Sequence, residues 1–236
     1  MKEVLVSGKH SFKIEVPYKV IETGPKGSKP LILYLHGYNQ NKSEFEEECG
    51  DFIKKINAYH LFIQGPYPLY DRTRKKKVSE WGRAWYLYDG NRGQFIKSLE
   101  ISSQFLQEVI DRLLPLLEVN RIAVIGYSMG GYLAGYFAFT RWKHVNELAV
   151  CGARLKTEVI GESWQNLNHM NILAVHGTGD QSVSAENQQK EIESLSRHKI
   201  KSTFKPVEEG HSFSGKIKNV IIDWLVKNGY KKSEIE

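Results

Sequence analysis

Cysteine is scarce in this 236-residue chain. Its two cysteines, Cys49 and Cys151, have no C-x-x-C spacing, which excludes a disulfide framework or a thiolate metal site as an organising feature. Both are expected as free thiols packed in or near a core. Long apolar runs are also missing. The longest, YLAGYFAF at 132–139, is too short to span a bilayer. The opening MKEVLVSGKHSFKIEV has no sustained apolar segment and no small-residue cleavage site, so a cytoplasmic location is the expectation. No repeat, low-complexity tract or linker divides the chain, and residues 1–236 read as one domain. Nucleic acid is not an expected partner, because no basic helix with base-reading spacing and no RNA-binding aromatic signature occurs.

Acidic residues are in deficit, 27 against 33 Lys and Arg, for a net charge of +6. The excess gathers in one run, RTRKKK at 72–77, comprising Arg72, Arg74, Lys75, Lys76 and Lys77 around one threonine. The plain reading is a solvated loop, and the functional one is weak contact with an anionic surface.

What the chain does have is alternation of buried strands and amphipathic helices. LILYLHG at 31–37, AYHLFIQ at 58–64, RIAVIGYS at 121–128, NELAVCG at 146–152 and NILAVHG at 171–177 are near-continuous apolar runs, the pattern of strands covered on both faces. IKSTFKPV at 200–207 is a last strand, and FKIEVPYKVI at 12–21 is expected to pair with the chain start as an edge hairpin. Between them, Ser43 and Glu46 have capping-box spacing before a helix with Phe45, Cys49, Phe52, Ile53 and Ile56 on one face. Ile101, Phe105, Val109, Leu113 and Leu117 line a second helix, and Ile217, Val220, Ile221, Trp224 and Leu225 a closing one. This is an α/β architecture with a mostly parallel central sheet and helices on both faces. Ligand sites in such sheets lie beyond the carboxyl ends of the strands.

At one such end stands GYSMG, residues 126–130, a G-x-S-x-G sequence between a strand and a helix. That context throws the Ser128 hydroxyl out of the sheet at a sharp turn, in front of the free N–H groups of a helix start. A serine hydroxyl needs a base, and the base needs a carboxylate to orient it. On this architecture both should follow Ser128, in the order acid then histidine, each just past a strand. Asp180 in HGTGD and His211 in EEGHSF meet that condition. Asp89 in YLYDGN is the second choice of acid. His36 and His176 also end strands and are read as braces between loops. An oxyanion would be met by the N–H of Met129, the residue after the serine, and by the N–H of Tyr38 in HGYNQN.

The succession HGYN, WYLYD, GYSMGG, HGTGD, GH resembles the α/β-hydrolase superfamily and, within it, is similar to the phospholipase/carboxylesterase group that includes acyl-protein thioesterases. The likeness runs from about residue 31 to 224. It implies an α/β-hydrolase fold and a serine esterase with Ser128 as nucleophile, Asp180 as acid, His211 as base, and Tyr38 and Met129 as oxyanion donors. A small or medium acyl ester or thioester is the implied substrate, with no metal and no cofactor. Methionine follows the serine where that group frequently has glutamine. Only about twenty residues separate the Cys151 strand from the Asp180 strand, so a minimal lid and an open site are expected. The 65–97 excursion is the expected wall, with Tyr67, Trp81, Trp85 and Tyr86 supplying apolar surface. The same three groups could serve a peptidase, an amidase or a C–C hydrolase, and a non-catalytic ligand-binding homologue could retain them.

Overall fold

A computed structural model describes residues 6–8, 10 and 13–233. In chain order the elements are β1 (Tyr18–Glu22), β2 (Lys29–Leu35), α1 (Lys42–Glu48), α2 (Gly50–Lys55), β3 (Tyr59–Ile63), β4 (Tyr67–Pro68), β5 (Arg83–Ala84), α3 (Arg92–Leu113), β6 (Val119–Tyr127), α4 (Met129–Thr140), β7 (Glu147–Cys151), β8 (Asn171–Gly177), α5 (Ala185–Arg197), β9 (Lys201–Val207) and α6 (Gly215–Lys227). Seven strands form one sheet in the order β1-β3-β2-β6-β7-β8-β9. All neighbours run parallel except β1, which is antiparallel to β3. β4 and β5 make a separate two-stranded ribbon.

Period-two alternation divides the core into two layers. Leu31, Leu33 and Leu35 of β2 belong to one apolar layer with Leu99 and Leu106 of α3, Phe137 of α4 and, further along the sheet, Leu195 of α5. Ile32 and Tyr34 point the other way, to Phe45 of α1, Phe52 of α2 and Ile221 of α6. Both faces of β2 are therefore buried along its whole length, which is why it reads as an unbroken apolar run. The chain leaves β2 toward β3 on one side, and β6 continues toward β7 on the other. The point of reversal, between the carboxyl ends of β2 and β6, is where an open α/β sheet forms a crevice. Among the described residues, no helix is long and apolar enough to cross a membrane.

Two expectations about elements need correction, and one is only partly covered. The edge strand pairs antiparallel with β3, Tyr18 opposite Ile63; the expected hairpin with the chain start falls on residues 1–5, outside the described residues. The capping box belongs to Asn41 and Glu44, not Ser43 and Glu46. Asn41 is the residue with extended backbone, so its Oδ1 can accept the N–H groups of Ser43 and Glu44, both at 3.0 Å, while its own N–H donates to Glu44. The helix behind it breaks at Cys49. The second predicted helix begins earlier, at Arg92, and buries Phe95, Leu99, Ser102, Leu106 and Leu113, which leaves Ile101 exposed. Cys49 and Cys151 are buried free thiols.

Candidate active site

β6 ends at Tyr127 and α4 starts at Met129, which leaves Ser128 alone at the turn. Its backbone has φ 50° and ψ −118°, a conformation costly for any residue with a side chain. The turn closes because Gly126 and Gly130 touch: a Cβ on Gly126 would strike the Gly130 carbonyl, and one on Gly130 would strike Leu35 of β2. The Ser128 N–H donates to Cys151 O of β7 at 2.8 Å. The residue is only partly covered.

Across the rim stand the two other predicted residues, 83 and 31 positions apart from their partners in sequence. His211 Nε2 lies 2.9 Å from Ser128 Oγ, and His211 Nδ1 lies 2.7 Å from Asp180 Oδ2. The Asp180 side chain is 1% exposed, yet it is fully engaged. Oδ1 accepts the Ser182 and Val183 N–H groups at 2.8 and 2.9 Å, and Oδ2 also lies 3.2 Å from His176 Nε2. Burial pushes this carboxyl upward, but the hydrogen bonds from His211, Val183 and Ser182 outweigh it and hold the group below its ordinary range. It is an anion at neutral pH. Asp89 has a different place: it is exposed, and its carboxylate accepts the Asn91 N–H.

The histidine segment is clamped by groups that sequence reasoning missed. Tyr127 O–H donates to His211 O at 3.1 Å, and its ring lies 5.4 Å from the imidazole. Cys151 Sγ contacts Ser212 O at 3.5 Å, and Phe213 is buried between Phe45 and Phe52. The only signal for Tyr127 was its place inside G-Y-S, which says nothing about where a phenol points.

The loop after β2 is organised by His36. The Gly65 N–H donates to its Nε2 at 3.0 Å, so Nδ1 carries the proton and donates to Gly37 O at 2.8 Å. Gln40 Oε1 accepts the Gly37 N–H. Asn39 N–H and Gln40 O pair with Arg83 of the ribbon. No intramolecular acceptor takes the N–H of Tyr38 or of Met129 among the described residues. His176 Nε2–H donates to Val183 O at 3.0 Å and lies 3.2 Å from Asp180 Oδ2. Both histidines thus brace loops.

The aromatic wall differs from expectation. Trp85 is fully buried and offers no surface to a ligand: its Nε1–H donates to His36 O at 2.8 Å and its backbone N–H to Met129 Sδ. It fastens the excursion to the two loops and lines nothing. Tyr86, 8% exposed, packs edge-on against Phe95 in the core. Tyr67 on the ribbon and Trp81 just before β5 stay partly exposed. Between β7 and β8 the chain makes only two short 3₁₀ turns, Thr157–Val159 and Trp164–Leu167, in keeping with a minimal lid. Among the described residues no cluster of three His, Cys, Asp or Glu is placed to hold a metal ion.

A parallel sheet flanked by helices, with a strained serine at the β6–α4 turn, defines an α/β hydrolase. The chain belongs to the serine hydrolase (FSH1) family, whose model matches residues 26–216. No curated protein matches the sequence. Solved structures similar to it include Zea mays acyl-protein thioesterase 2, at 17% identity over 90% of this chain and 98% of that one, with a TM-score of 0.70. A Bacillus cereus carboxylesterase is 18% identical over 90% and 94% of the two chains, TM-score 0.70. Arabidopsis thaliana SOBER1 is 22% identical over 85% and 99%, TM-score 0.69.

Proposed function

We propose that this chain, acting as one domain in the cytoplasm, hydrolyses carboxylic esters or thioesters of small to medium acyl groups through an acyl-enzyme on Ser128. One observation carries the reading: the unbroken hydrogen-bonded path from Ser128 Oγ through His211 to the buried, charged Asp180. In acylation, His211 Nε2 takes the Ser128 proton as Oγ bonds to the carbonyl carbon. The charge on the carbonyl oxygen is met by the Tyr38 and Met129 N–H groups, which no protein acceptor occupies. The imidazolium then hands the proton to the leaving alkoxide or thiolate as its bond to carbon breaks. Water repeats the sequence on the acyl-enzyme, and Ser128 recovers its proton. Asp180 holds Nδ1–H toward itself, so that Nε2 faces the serine. The names of the thioesterase and carboxylesterase neighbours favour an acyl ester or thioester as substrate, and the partly exposed Tyr67 and Trp81 are candidate contacts for it.

A fluorophosphonate probe tests the assignment. It should add one phosphonyl group to the peptide carrying Ser128 and abolish ester hydrolysis in step. Protein that remains unlabelled, or labelled elsewhere with activity lost, would sink the proposal.

Gly152 gives a subtler test. It has φ +55°, and a Cβ there would lie 3.1 Å from His211 Cε1 and 3.2 Å from Nδ1. Gly152→Ala should lower kcat/KM about tenfold or more by displacing the imidazole. The left-handed backbone should also cost about 1–2 kcal/mol of stability. Both are read from esterase kinetics and thermal melts; unchanged kinetics in the folded variant would argue against His211 as the working base.

A further inference from the structure

The run at 72–77 is a built platform. Asp71 sits at its centre and accepts the N–H groups of Thr73, Lys75 and Lys76 and the Thr73 hydroxyl. These bonds hold its carboxyl down at about 2. Arg74 is fixed at φ 57° within this ring. At the base, Trp81 Nε1–H donates to Lys76 O and Arg83 Nη2 to Val78 O. Five cations radiate from the loop, all exposed. Lys76 pairs with Glu44 at 3.7 Å, and Glu80 accepts the Lys77 backbone N–H. Among the described residues Arg72, Arg74, Lys75 and Lys77 form no ion pair. Two apolar side chains flank the cations, Tyr70 propped edge-on against Trp81 and Val78, each 59% exposed. The platform rises from the β4–β5 ribbon, whose Arg83 pairs with Asn39 and Gln40, so it borders the loop that carries the exposed Tyr38.

Unneutralised cations with apolar residues at their edges are what an anionic lipid surface binds: headgroups take the charge, and the interface takes the rings and methyls. We propose that residues 70–78 dock this protein on anionic bilayers, with the Ser128 rim turned toward the lipid. Docking does not depend on the hydrolase reading, since it requires no turnover.

Co-sedimentation with phosphatidylcholine vesicles containing about 30% phosphatidylserine tests it, with pure phosphatidylcholine as control. The wild-type chain should bind the anionic vesicles only, and more weakly as salt rises. The triple variant Arg72→Gln/Lys75→Gln/Lys77→Gln should bind on the order of a hundredfold more weakly, at about fivefold per cation. Val78→Ser should bind a few-fold more weakly. All variants should keep wild-type activity on a soluble short-chain ester, which also shows that they fold. Equal binding to both vesicle types, no binding by the wild type, or full binding by the triple variant would overturn the proposal. Loss of ester hydrolysis by Ser128→Ala with vesicle binding retained separates the two readings.

Discussion

Ser128→Ala should lower kcat/KM on a short-chain p-nitrophenyl ester by on the order of 10⁶-fold, about 8 kcal/mol of transition-state stabilisation. On the proposed mechanism the loss is this large because the Ser128 hydroxyl forms the new bond. His211 and Asp180 have nothing to act upon once it is gone, so the three groups fail as a unit. The N–H groups of Tyr38 and Met129 would still receive the carbonyl, which leaves a residual rate above that in water. Folding should hardly change. Alanine retains the Cβ that already occupies the strained turn at φ 50°, and only one hydrogen bond, Ser128 to His211, disappears. That bond is worth about 1 kcal/mol. Kinetics and a thermal melt on the same preparation make the separation. A variant with a wild-type melt and more than about 1% of wild-type activity would mean that another group attacks the carbonyl.

Chain order made Ser128, Asp180 and His211 legible, because each follows a buried strand and such strands announce themselves as apolar runs. The same local signal explains why β2, β3, β6, β7 and β8 could be read within a residue or two. What could not be read depends on partners far away in sequence. An edge strand carries no mark of which neighbour it joins, and β1 joins β3 across some forty residues. Trp85 looked like pocket lining because aromatic residues in a long excursion often are; it is buried because its indole N–H finds the His36 carbonyl, 49 positions away. Tyr127 and His176 stand at strand ends as read, yet the Tyr127 hydrogen bond to His211 O and the approach of His176 Nε2 to Asp180 Oδ2 exist only in three dimensions. Asn41 and Ser43 are both good caps, and the choice between them was made by backbone angles that composition does not encode.

Lowering the pH from 6.5 to 4 should cut thermal stability by roughly 10–20 °C. The cause is a pair of buried imidazoles. Burial holds His36 at about 4, against an ordinary 6.5, and holds His60 at about 4 in the same way. Burial is the main cause for both rings, and at His36 the partners also demand the neutral form. The His36 Nε2 is occupied by the Gly65 N–H. The Tyr34 hydroxyl reaches His60 Nδ1 at 2.9 Å and, raised well above 10 by its own burial, keeps its proton. His60 Nε2–H points to Ile56 O at 3.1 Å. Below 6.5 the unfolded chain takes up two protons that the folded chain refuses until about 4, so stability is complete above 6.5 and falls as pH drops through that window. Each imidazole contributes about 3 kcal/mol at the acid end. Glu48, raised above its ordinary 4.5 by burial, works in the opposite sense. His60→Gln separates this effect from general acid sensitivity. It should be less stable at pH 7, yet lose stability with falling pH at about half the wild-type slope. The slope is independent of the absolute melting temperature, so a poorly packed glutamine does not obscure it. A wild-type melting temperature that stays level from pH 6.5 to 4.5 would mean that both rings already carry a proton in the fold, and with it that the loop after β2 is held by a His36 imidazolium with no acceptor for its second N–H.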